Sequence, residues 1–157
     1  GRSARQARRR SGALMAAGSR RIAALAVLER LRRHEMESEA RELALLRGEV
    51  ARIEAQRTET LDDMNRNAHV TMIEAAPYLG DYIRAVRAEV AGLDERLGEL
   101  DEKCATLEDE VRERYRSMRT VGTLLQTQRA KALADRQKAE AARLDEQAIG
   151  RWRRRRA

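Results

Sequence analysis

The chain has 157 residues, with 33 Lys and Arg against 26 Asp and Glu for a net charge of +7; 38% of residues are charged, 3% are aromatic and none is Phe. That length allows one ordinary domain, but so few aromatics make a poor compact core, and high charge with abundant Ala, Leu, Glu and Arg points to long helices or a coiled coil. A single Cys excludes an internal disulfide and fits a reducing compartment, and the longest apolar run, 22–28, is far shorter than the ~18 residues of a bilayer span.

Residues 1–21 carry seven Arg and no acid, with Ser3, Ser11, Gly12, Gly18 and Ser19 among them. Without a periodic apolar face this stretch is expected to be a basic disordered tail. It lacks the apolar stretch of a secretory signal; its Arg-rich, acid-free composition resembles a mitochondrial transit peptide, but it reads first as a natural extension or as an upstream-read start ahead of Met15. A first helix is expected at about 22–66. Met36, Leu43, Leu46, Val50, Ile53 and Met64 follow one register, interrupted by Glu39, Arg57 and Thr60, while Leu25, Leu28 and Leu31 form a stripe in a shifted phase. A turn is expected at about 67–76, after Asn65 and Asn67 and before Pro77, because the residue preceding a proline avoids the α region. Pro77 then suits the first turn of a second helix.

That second helix, about 77–150, carries the strongest pattern. Alternate steps of four and three from Leu79 give Ile83, Val86, Val90, Leu93, Leu97, Leu100, Cys104, Leu107, Val111, Arg114, Met118, Val121 and Leu125. Thirteen of these fourteen positions are apolar, and a sustained 3.5-residue repeat specifies a left-handed coiled-coil seam. Beyond Leu125 the seam thins to Gln128, Ala132, Asp135, Ala139 and Ala142, and the helix reaches roughly 110 Å in all. Acid-first pairs at i, i+4, namely Glu29–Arg33, Glu37–Arg41, Asp62–Arg66, Glu99–Lys103, Glu108–Arg112 and Glu110–Arg114, support both helices by a few tenths of a kcal/mol each. Residues 151–157 form a second basic tail with five Arg and no acid. Residues 22–150 therefore hold 21 bases against 26 acids, a net of −5.

Two amphipathic helices with one break predict an all-α fold, an elongated antiparallel two-helix coiled coil or α-helical hairpin. The second helix is longer, so part of it is expected to project beyond its partner or to curl around something else, and an apolar stripe exposed there would be a binding surface. Chemistry is missing where an enzyme would need it. His34 and His69 have no metal-ligand neighbours, Cys104 falls on the seam as a small hydrophobe, and the carboxylates decorate solvated faces. No catalytic residue, metal site, cofactor or small-molecule substrate is expected. Twelve Arg in two acid-free tails raise nucleic acid as a partner, but only Trp152 among them offers a stacking aromatic, and the body is acidic. A generic coiled-coil scaffold is the other reading that the pattern allows.

Three stretches give the chain a likeness. Ala24 through Leu31, followed by Glu35, Met36, Glu37 and Ala40, resembles the opening helix of the FliJ/YscO family, the small coiled-coil stalk proteins of flagellar and virulence type III export. Tyr82, Ile83 and Val86 running on to Leu97 resemble the start of that family's second helix, and Arg143 to Ala148 with Arg151 resemble its terminal Leu-Asp-Glu stretch. The resemblance implies a non-enzymatic protein at the cytoplasmic face of the inner membrane. Its paired termini would enter the hexameric export ATPase, its middle would reach the export gate membrane protein, and it would receive emptied export chaperones. It assigns gate binding to Tyr82, Val86, Glu89 and Leu93, of which Val86 and Leu93 are also seam residues. It assigns ATPase binding to Leu25, Leu28, Leu31, Leu144, Ile149 and Arg151.

Overall fold

The computed structural model describes residues 2–68 and 76–157. Two helices account for nearly all of it: α1 over Arg2–Asn67 and α2 over Ala76–Arg156. No strand and no positive φ occurs among the described residues. The fold is an all-α helical hairpin, as the heptad pattern predicts. The expected turn falls mostly on 69–75, which with His69 lie outside the described residues.

Both helices run further than their apolar repeats. α1 begins at Arg2 rather than near Ile22, so the stretch expected to be disordered is helical, and α2 continues through the C-terminal tail to Arg156. Arg and Ala are among the best helix formers, and once a helix is nucleated by packing, each added residue costs little. The last turn of α2 places Arg153 to Arg156 at the negative end of the helix dipole, where cations are favoured.

The chain divides into two compact units, Gly1–His34 with Tyr115–Ala157, and Glu35–Arg114. Within the 35–114 unit the helices are antiparallel, since contacts descend α2 as they ascend α1. Arg114 meets Glu35 and Glu39, Arg47 meets Glu108, Glu49 meets Arg96, Arg57 meets Asp94, and Asn67 meets Tyr82. All six α2 positions that are buried in the two units, Val86, Leu100, Cys104, Leu107, Val121 and Leu125, belong to the register read from the sequence. The other eight of its fourteen positions are half-buried. Leu100 has 0% exposure, and Leu43, Cys104 and Leu107 form a cluster packed by Leu46, Val50 and Val111. Full burial of an aliphatic side chain contributes about 1.5–3 kcal/mol, so this line of side chains holds the unit together.

The seam of α1 is more regular than its apolar residues suggest. Ile22, Leu25, Glu29, Arg32, Met36, Glu39, Leu43, Leu46, Val50, Ile53, Arg57, Thr60 and Met64 are all buried or half-buried and alternate by three and four without a break. Glu39, Arg57 and Thr60, which interrupt the apolar pattern, keep their places on the seam. Leu31, by contrast, is 50% exposed on the outer side. The stripe of Leu25, Leu28 and Leu31 therefore crosses from the seam to the surface.

Candidate interaction surfaces

Arg57 and Arg114 of the seam find partners across it, whereas Glu29 pairs on its own helix. Arg114, the one charged residue among the fourteen α2 positions, donates from Nη1 to Glu35 at 2.9 Å and from Nε to Glu39 at 3.1 Å. The second oxygen of Glu39, Oε2, is buried without a hydrogen-bond partner. Outside the seam, Arg47 pairs with Glu108 at 2.5 Å and Arg96 pairs with Glu49 at 3.1 Å. These flanking positions face their own kind because the helices run in opposite directions, so an opposite charge there fixes orientation. Hydrogen bonding to Glu49 and then Glu99 raises the Arg96 pKa above its ordinary value, and Asp63 does the same for Arg66. A raised arginine pKa adds stability that is fully present below the ordinary arginine value and lost only above it, so both contributions stay constant through the working pH range.

Local pairing departs from the expected i, i+4 pattern. Glu29–Arg33 forms at 2.6 Å. Arg66 and Arg112 turn instead to Asp63 and Asp109 at i, i+3, while Arg96 takes Glu99. Glu108 and Arg114 are drawn across to α1, and Arg41 donates to the Glu37 carbonyl. Interhelical partners are taken by side chains on or beside the seam, where the facing helix brings an opposite charge within reach. Arg47 and Arg96 remain exposed, so each such pair adds at most about 1 kcal/mol.

The four residues assigned to the export gate all lie in the 35–114 unit. They divide between two positions of the repeat. Val86 is 7% exposed and Leu93 is half-buried, both on the seam, whereas Glu89 is exposed beside it. Tyr82, seven residues before Glu89, is half-buried and accepts a hydrogen bond from Asn67 Nδ2 at 3.0 Å. Val86 and Leu93 thus lie on the seam, and of the two residues beside it Glu89 is exposed while Tyr82 is held by Asn67 of α1.

The six residues assigned to the ATPase all lie in the other unit, 1–34 with 115–157. Leu25 and Leu28 are half-buried, while Leu31, Leu144 and Ile149 are about half exposed, at 50%, 54% and 52%, and Arg151 is exposed. These side chains expose apolar area on otherwise charged helices. Apart from these six, Val27 and Leu133, which the sequence reading assigned to no partner, and Trp152, weighed there only as a stacking aromatic, are exposed at 55% to 57%. They lie off the seam, so a search that scores only the 3.5-residue repeat does not find them. Marking large apolar residues outside the repeat would have done so.

Among the described residues no cluster of His, Cys, Asp and Glu fits a metal ion, and no helix is long and apolar enough to cross a membrane. A paired-helix fold with exposed apolar and charged side chains is suited to docking on other proteins. Residues 21–157 match the family described as the flagellar FliJ protein, and the chain belongs to that family. The family is a non-enzymatic component of the flagellar export apparatus. Comparisons with curated proteins and with solved structures gave no match.

Proposed function

We propose that the chain is the stalk of its export apparatus, coupling the hexameric export ATPase to the export gate membrane protein and receiving emptied export chaperones. It works in the cytoplasm, at the inner face of the inner membrane. The reading is supported chiefly by one observation: in a chain of this family, the two candidate partner surfaces fall in different units, the ATPase residues beside the chain termini and the gate residues beside the inter-helix segment.

No catalytic group of its own is required for such a role. Two unlike helices seated in a six-fold ring meet each subunit differently. The ring's symmetry is thereby broken, and the stalk biases which nucleotide sites close through differential contacts. Leu31, Leu144 and Ile149 supply apolar contact, and Arg151 supplies a guanidinium for a carboxylate of the ring. Tyr82 and Glu89 transmit the state of the ring to the gate. Full-length chain added to the purified export ATPase is expected to promote ring assembly and raise ATP hydrolysis severalfold. Unchanged assembly and hydrolysis at saturating chain would overturn the stalk reading.

A further inference from the structure

The two units carry opposite charge. Residues 1–34 with 115–157 hold 22 Lys and Arg against 5 Asp and Glu, a net of +17, while 35–114 hold 11 against 21, a net of −10. The basic unit is also the one with apolar surface: of twelve large apolar side chains exposed among the described residues, ten lie in it. Exposed Leu, Ile and Trp together with an excess of arginine meet the two requirements of an interfacial helix, apolar area to bury and cations for anionic headgroups.

The outer face of α2 arranges these groups in rows. Leu133, Ala141, Leu144 and Ala148 fall within about 80° of arc on the side away from the seam, with Trp152 at the edge of that arc and Gln137 and Arg151 inside it, and all are exposed. Arg129, Arg136 and Arg143 repeat every seven residues along one flank, and Lys131 and Lys138 along the other. At the C-terminal end the Arg156 guanidinium stands 4.4 Å from the centre of the Trp152 ring. An indole beside a cation suits the water–headgroup boundary, where its ring is buried and its N–H stays wet.

We propose that this face of α2, from Leu133 to Trp152, docks on an anionic phospholipid bilayer and lies along its surface. The inference goes beyond the stalk reading and does not depend on it. Because Leu144 belongs to both surfaces, the lipid-bound and ring-bound states exclude one another. Aliphatic side chains spaced along a helix gain nothing from a phosphate backbone, which offers charge without an apolar layer, so the arrangement favours lipid over nucleic acid.

Trp152 is the single tryptophan of the chain, so its emission reports the docking site directly. The full chain is mixed with vesicles of phosphatidylcholine alone, with vesicles containing phosphatidylglycerol, and with duplex DNA. Docking predicts co-sedimentation with the phosphatidylglycerol vesicles only, accompanied by a blue shift of Trp152. The L133E/A141E variant, altered at exposed positions outside the ATPase surface, should keep its helicity and its ATPase capture but partition at least about tenfold less. Equal binding to neutral vesicles overturns the proposal, as does binding with Trp152 emission unmoved. Retention of DNA without binding to either vesicle would assign the arginines to nucleic acid and overturn it as well.

Discussion

Arg114 occupies a position that thirteen apolar residues fill elsewhere on α2, and the structure shows what holds it there. Its guanidinium reaches two carboxylates of α1, so one seam position becomes a polar layer with Glu35 and Glu39. A misaligned pairing of the helices would strand all three charges, and a single polar layer of this kind specifies register at some cost in stability. R114A removes the cation and leaves Glu39, already short of one partner, facing its neighbour Glu35. We expect a loss of about 1–2 kcal/mol, the side chains being only partly buried. R114L should recover only the part of that loss that comes from missing apolar contact, because Glu39 still lacks its cation. Urea unfolding followed by circular dichroism measures both, and equal midpoints for R114A and the parent would remove Arg114 from the account of the register.

At the level of the helices, the apolar repeat decides stability. Leu100 is fully enclosed, so L100A is expected to cost about 2–5 kcal/mol in the same unfolding experiment. L45A, at a site 76% exposed, should shift it by less than about 0.5 kcal/mol. Similar losses for the two variants would contradict the assigned seam. The α2 repeat was legible because its residues are apolar almost throughout. On α1 the same repeat was only half legible. Glu39 and Arg57 are partnered across the seam by Arg114 and Asp94, and such partners become visible only when the second helix is in place. The reach of α1 back to Arg2 was not legible either, since an arginine-rich stretch without an apolar face reads as disordered although its residues favour helix. Of the residues that the family resemblance assigned to the ATPase, Leu31, Leu144, Ile149 and Arg151 are exposed, whereas Leu25 and Leu28 are half-buried. The sequence could not separate Val86 and Leu93 from the seam they belong to, because one heptad position serves packing and recognition alike.

Over the whole molecule, net charge conceals more than it reports. A total of +7 arises from +17 in one unit and −10 in the other. The partners proposed for the two units must therefore differ in charge: an acid-lined opening or an anionic surface for the first, a surface tolerant of carboxylates for the second. The central claim is that ring and gate are met by different units, and capture of the purified export ATPase by the immobilised full chain tests it. The account predicts that L144E/I149E captures at least about tenfold less ATPase, while Y82A/E89A captures as much as the parent chain. Undiminished capture by L144E/I149E, or a loss that follows Tyr82 and Glu89 instead, would contradict it.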